Sequence, residues 1–401
     1  MSLPWNRLPY LTRVWLGSQF SLKLLPAQVK PLAASLKLTE NCQAKCVTCN
    51  YWQTRWDDGL DTEKAIATIN RLGRFGIRYL RFTGGEPLLR RDLFQIVQKA
   101  DMEKFERITL QTNGLLLKKL HNEINASPIT KVAVSIDGLE ASNDVIRGIR
   151  GYFKLAMEGI RLLKNKQVNI VATLNGRSAG ELAGLAEEAR SVGAGFGFNI
   201  LDDRSYFLRQ TSTSDLWPAK AEIAQIVAFL RDKLKRPAYE LEYIYKYFSR
   251  ENPEEPPCVL GFLEVFVVSN GDVLAGCYVL KPVGNLLRED FEELMGSARY
   301  REACVGMVRR ECPGCTCGIH VSLKFRNAAS PWSHPLRHAG VQSIGPLPLA
   351  VQPSLLQPSV VQASVVQTSV VQTSIAQTSM VQTSTAQTSG QTSGSGRGDR
   401  A

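Results

Sequence analysis

Three cysteines stand close together in T-E-N-C-Q-A-K-C-V-T-C-N: Cys42, Cys46 and Cys49, spaced C-x3-C-x2-C. Thiolates are metal ligands, and three of them within a short polar loop are not the packing of a core. A structural zinc site wants a fourth Cys or His, yet the next histidine, His121, has no second ligand beside it. A [4Fe-4S] cluster on three thiolates leaves one iron open to a ligand other than the protein. Further on comes T-G-G-E-P, Thr83 to Pro87. Gly84 and Gly85 permit positive φ and close backbone approach to a ligand. Glu86 adds a carboxylate, and Pro87 stiffens the exit.

A second group holds Cys258, Cys277, Cys312 and Cys315, in the order C-x18-C-x34-C-x2-C, with Cys304 and Cys317 left over. Four thiolates make a closed site that suits zinc or a second iron–sulfur cluster. Nine cysteines in 401 residues, clustered and without a signal peptide, point to metal binding in a reducing compartment, so a cytoplasmic location is expected. No run approaches the length of a transmembrane helix. The net charge of +11 lies on the part before the last sixty residues, which add only Arg397, Asp399 and Arg400. A basic surface attracts nucleic acid, anionic lipid or an anionic substrate. Without basic runs interleaved with aromatics, or zinc-finger spacing, a nucleic-acid partner is not expected.

The elements that must position these residues alternate. Short apolar runs at Ala34–Leu38, Tyr79–Thr83, Ile108–Thr112, Lys131–Ile136, Val168–Leu174 and Phe196–Ile200 read as strands. Helical spacing follows each, at Thr62–Phe75, Asp92–Met102, Leu115–Asn125, Phe153–Asn165, Ala179–Val192 and Ala219–Leu234. Six such units predict an α/β fold with a parallel sheet and catalytic loops at the carboxyl ends of its strands. From about Pro253 the pattern changes to a hairpin turning at Asn270-Gly271, then short helices near Phe291–Gly296 and Arg299–Val305. A five-residue repeat (VQTSV, VQTSI, AQTSM and variants) begins at Val351 and buries too little apolar surface to order itself. The aromatic and basic residues 1–31 read as a segment packed outside the first domain, an interfacial membrane helix being the alternative.

The C-x3-C-x2-C after strand one and G-G-E-P after strand two resemble the hallmarks of the radical SAM enzymes. The resemblance covers about residues 32–320. It implies a partial (β/α)6 barrel over 32–250. The later cysteines, with Gly284-Asn285 and C-P-G-C at Cys312 to Cys315, resemble the twitch form of the SPASM domain. They imply a small α+β auxiliary-cluster domain over 251–328; the low-complexity composition beyond it reads as a disordered tail over 329–401. One departure is Thr48, where an aromatic is common before the third cysteine; it is not a ligand position.

The resemblance also implies roles. Cys42, Cys46 and Cys49 would hold a [4Fe-4S] cluster whose open iron is chelated by S-adenosyl-L-methionine. Gly84, Gly85 and Glu86, with Pro87 behind them, would meet the methionine amino end. Asn113 lies in Q-T-N-G at the end of strand three. Ser135, in V-S-I-D-G, would face the ribose or carboxylate with Asp137 nearby, and Arg147 would pair with the methionine carboxylate. Asn175 is a further candidate. Cys258, Cys277, Cys312 and Cys315 would hold one auxiliary [4Fe-4S] cluster, zinc being the alternative. A reductant such as flavodoxin or ferredoxin and a peptide or small sugar- or alcohol-type substrate are the expected partners. Asp202, Asp203, Arg204 and Tyr206 would lie at the barrel mouth. The competing class is a non-catalytic zinc or iron–sulfur protein, structural or sensory, which would have no use for G-G-E-P or V-S-I-D-G.

Overall fold

The computed structural model describes residues 10–49, 52, 59–203, 214–253, 255–312 and 316. The chain divides into a unit over Met1–Gly340 and a second over Val341–Ala401, which lies outside the described residues with the repeat. In the first unit, β1 (Ala33–Thr39), β2 (Tyr79–Gly84), β3 (Arg107–Thr112), β4 (Lys131–Ser135), β5 (Gln167–Leu174) and β6 (Gly195–Ile200) pair in sequence order, all parallel. After α1 (Tyr10–Gln19), the intervening helices are α2 (Thr62–Phe75), α3 (Leu93–Lys99), α4 (Leu117–Ala126), α5 (Glu140–Arg147), α6 (Tyr152–Arg161) and α7 (Leu182–Ser191). Then come α8 (Lys220–Asp232) and α9 (Ala238–Phe248).

Local chemistry sets these boundaries. Asp61 accepts from Lys64 N at 2.8 Å to start α2, and Gly76, at φ +99°, ends it in the left-handed conformation that glycine adopts without strain. The strands alternate. Leu36, Phe82, Leu110 and Val132 share one register row and are fully buried, on the sheet face where Phe196 meets Phe229 of α8 edge-on. The opposite face carries polar residues. Helices α5 and α9 fall outside the predicted set, because α5 is short and polar and α9 follows α8 with no strand between.

The later segment continues the same sheet. After α10 (Leu260–Leu263), β7 (Glu264–Val267) pairs parallel with β1, and β8 (Asp272–Leu274) and β9 (Gly284–Asn285) follow antiparallel, giving nine strands in the order 6-5-4-3-2-1-7-8-9. The expected hairpin turn is present, with Gly271 at φ +88° and its N–H on Val268 O at 2.8 Å. Helices α11 (Phe291–Gly296) and α12 (Ala298–Val308) stand where short helices were predicted. The N-terminal segment is tied to this region. Tyr10 donates to Phe262 O at 2.8 Å, and Arg301 donates to Pro26 O at 3.1 Å. Among the described residues no helix is long and apolar enough to cross a membrane.

Candidate functional site

The three-cysteine loop leaves β1 at Thr39 and is laced to the next strand end by backbone. Gly85 N donates to Thr39 O at 2.8 Å, and Glu86 N to Asn41 O at 2.7 Å. The approach is so close that a Cβ on Gly84 would lie 2.0 Å from Thr39 O, and one on Gly85 2.2 Å from Asn41 O. Gly84 also sits at φ +134°. Both glycines are therefore required by the contact with the cysteine loop. On its other side, the loop is held by Val47 N donating to Ile146 O at 2.9 Å, one residue from Arg147.

Two sulfurs face N–H donors. Asn113 Nδ2 lies 3.7 Å from Cys42 Sγ, and Arg147 Nη1 lies 3.9 Å from Cys46 Sγ. Burial pushes the Cys42 thiol up to about 12 and pushes Cys46 upward as well, the latter against the pull of Arg147. Buried thiols of this kind stay protonated unless a cation offsets the charge, which is what coordinated iron or zinc does. Among the described residues no three Cys, His, Asp or Glu side chains converge closely enough to hold one metal ion. Unspent hydrogen-bonding capacity also lies here, since Gln43 Nε2 is buried without a partner while its Oε1 accepts from Asn113. Three thiolates on one short loop, two of them faced by N–H donors, fit a cluster that leaves one iron open.

Arg147 and Asp137 are brought together. Nε of Arg147 lies 2.8 Å from Oδ2 of Asp137, which is fully buried. The two atoms meet as charges without an aligned hydrogen bond. Oδ1 of Asp137 accepts from Thr173 N at 2.7 Å, so the carboxylate spans the ends of β4 and β5. Glu86 is enclosed by donors of its own chain. Its carboxylate is fully buried and accepts from Leu88 N at 3.0 Å, Thr112 Oγ1 at 2.8 Å and Asn113 N at 2.7 Å. Burial outweighs these donors and pushes it up to about 7. It joins the ends of β2 and β3 and so sets where Asn113 stands. Pro87 is buried and opens a single turn over Pro87–Leu89. Ser135 ends β4 half-exposed, with its carbonyl accepting from Tyr152 at 3.0 Å. Asn175 is buried and turned to its own loop, donating to Thr173 O and Ser178 Oγ.

Two contacts escaped the sequence reading. Lys37 is 3% exposed, lies over the Tyr278 ring at 4.2 Å and pairs with Glu40 at 3.4 Å. Asp202 accepts from Thr316 Oγ1 at 3.1 Å, which ties the end of β6 to the residue after Cys315. Asp203 pairs with Arg250 at 2.6 Å; Arg204 and Tyr206 lie outside the described residues. Of the second cysteine group, Cys258 and Cys277 share an apolar cluster with Phe266 and Met307. Cys312 is half-buried just past α12, and Cys304 is buried in the core. Cys315 and Cys317 lie outside the described residues.

A partial barrel of six parallel β/α units, with a three-thiol loop at the carboxyl end of its first strand, is the class this geometry defines. Residues 36–185 match the family model of the Radical SAM superfamily. The chain is 27% identical over 258 residues to the Fe-coproporphyrin III synthase of Methanosarcina barkeri, covering 60% of this chain and 64% of that one. It is 29% identical over 168 residues to a probable GTP 3′,8-cyclase of Methanococcus vannielii, covering 40% and 55%. The chain thus spans less than two thirds of these relatives. Among solved structures it resembles Streptococcus suis SuiB, with a TM-score of 0.53 and 17% identity over 67% of this chain and 66% of that one. It also resembles anSMEcpe, solved with AdoMet and the Cp18Cys peptide, with a TM-score of 0.52 and 18% identity over 77% and 97%. At these identities the structures carry the fold alone.

Proposed function

We propose that the chain is a radical SAM enzyme that reductively cleaves S-adenosyl-L-methionine and directs the resulting 5′-deoxyadenosyl radical to a hydrogen atom on a peptide or small-molecule substrate. The observation that carries this reading is the loop of Cys42, Cys46 and Cys49, with Asn113 and Arg147 at two of its sulfurs and G-G-E-P hydrogen-bonded along it. When bound there, a [4Fe-4S] cluster supplies a low-potential electron and an open iron for the amino and carboxylate groups of the cofactor. The chain's own residues do the rest. Asn113 and Arg147 donate toward sulfur and so favour thiolate. Arg147, held by Asp137, keeps further donors of its fork for the methionine carboxylate. The edge of β2 at Gly84 and Gly85 offers backbone to the methionine amino end, and Ser135 offers a hydroxyl on the face away from the helices. Cys258, Cys277, Cys312 and Cys315 would hold an auxiliary [4Fe-4S] cluster, with a flavodoxin or ferredoxin as electron source.

The test is anaerobic reconstitution with iron and sulfide, metal counting, then addition of dithionite and S-adenosylmethionine. About eight irons per chain and release of 5′-deoxyadenosine support the whole reading. About four irons with 5′-deoxyadenosine keep the enzyme and remove the auxiliary cluster. Tightly held zinc, no iron and no product overturn it.

A further inference from the structure

The sheet face turned away from the helices carries an unbalanced set of cations. Ser35, Arg81, Thr109, Lys131 and Gln167 form one register row across β1 to β5. Arg107 stands in the next row, beside Tyr79. Residues of this face on β2 to β5 are partly exposed, whereas their neighbours on the helix face are buried. The face is therefore open, and its side chains are not core packing.

Partners account for some of the charge and leave the rest. Arg81 lies 3.3 Å from the Glu264 carboxylate, which also accepts from Ser35 at 2.5 Å. Arg107 stacks over the Tyr79 ring at 4.6 Å and has no ion pair among the described residues. Lys131 is pushed down by its partial burial and by the charges of Arg107 and Arg81, and it has no ion pair among the described residues. Like charges gathered on an open face repel, and a fold keeps them at a cost unless an anion offsets them.

We infer that Arg81, Arg107 and Lys131 bind an anionic group, clustered phosphate or carboxylate, on a small-molecule substrate. The position suits this role. Arg81 lies three residues before Gly84, Lys131 four before Ser135 and Arg107 five before Thr112, which at a strand rise of about 3.3 Å per residue puts the cations roughly 10 to 17 Å below the strand ends. One end of a small molecule held there leaves its other end at the loops where hydrogen abstraction is proposed to occur. Calling the ligand a substrate rests on the proposed function; the anion site itself does not.

The experiment is calorimetric titration of the full chain at fixed ionic strength with two probes, tripolyphosphate and citrate. Wild type is expected to bind at least one of them, and the tighter probe tells phosphate from carboxylate. Lys131→Gln and Arg107→Gln should each weaken binding about tenfold, the loss of one charge-assisted contact. Lys131→Arg should retain it, which guards against a folding defect in the glutamine variants, and Lys119→Gln on the exposed side of α4 should change nothing. If wild type binds neither probe, or the glutamine variants bind as tightly as wild type, the inference fails. Tighter binding of an acidic peptide than of both probes would likewise overturn the small-molecule assignment. Substrate-free formation of 5′-deoxyadenosine by wild type is measured alongside. Its presence with no anion binding rejects only this inference, and its absence rejects the radical reading whatever the titration shows.

Discussion

Replacing Arg147 by Met tests whether the buried ion pair beneath the cysteine loop is a coupled unit. Asp137 is fully buried and the Arg147 side chain is 12% exposed, with 2.8 Å between Nε and Oδ2. Removing one partner of such a pair costs about 3–5 kcal/mol, because the other charge stays buried and unmatched. The lower end applies here, since Asp137 keeps its 2.7 Å bond from Thr173 N. In a folded unit of roughly 300 residues the entropy of unfolding is on the order of 0.6 kcal/mol per degree, so the melting temperature should drop by about 5 °C. Asp137→Asn, which strands the guanidinium instead, should cost a similar amount. The double variant Asp137→Asn/Arg147→Met removes both charges and should recover about 2 kcal/mol relative to the sum of the singles. Chemical denaturation of the four proteins closes the cycle. A coupling below about 0.5 kcal/mol would refute the reasoning and mean that Arg147 is held by Cys46 or by Tyr152, whose ring centroid is 6.0 Å away, and not by Asp137.

Further outcomes follow from the same contacts. Cys46→Ala should abolish S-adenosylmethionine cleavage, while Cys312→Ala should leave cleavage intact and stop substrate turnover; equal loss in both would contradict this division of labour. Gly85→Ala places a Cβ 2.2 Å from Asn41 O, so iron bound after reconstitution should fall sharply, and an unchanged iron content would show that the loop tolerates the shift. Glu86 has a folded pKa raised from 4.5 to about 7 by burial, so it contributes stability below its unfolded value and loses it as pH rises through 7. That amounts to about 3 kcal/mol in full, of which about 2 kcal/mol is lost between pH 5.5 and 8, and Glu86→Gln should lack it, so melting temperatures at pH 5.5 and 8 should converge in the variant and differ in wild type.

What could be read in the chain is what local pattern encodes. Alternating apolar runs and helical spacing placed β1 to β6, because a strand buried on its helix face must repeat every second residue. The cysteine loop and G-G-E-P were legible because their residue types are unusual for their positions. Other features depend on pairing across long separations. Glu86 reads as a ligand group in sequence, and only the return of Thr112 and Asn113 beside it shows a carboxylate enclosed by donors. Lys131, in K-V-A-V-S, looks like the solvated start of an ordinary strand. Its meaning appears when register sets it level with Arg81 and next to Arg107.

The parallel pairing of β7 with β1 has a consequence that neither strand shows alone. β1 carries the three-thiol loop at its end, and β7 leads into the hairpin that ends at Cys277. The three-thiol loop and Cys277 are thus referenced to one strand. The inner face of β1 joins them further: Lys37 lies over Tyr278, the neighbour of Cys277, and Glu40 accepts from Ser269 at 3.3 Å. Lys37, Glu40 and Ser269 are buried, so a shift of the cysteine loop is passed to the hairpin. On the other edge, Gly84 holds β2 against Thr39 with no room for a Cβ. β1 is clamped from both sides, which holds the three-cysteine loop and the Cys277 hairpin at a fixed separation.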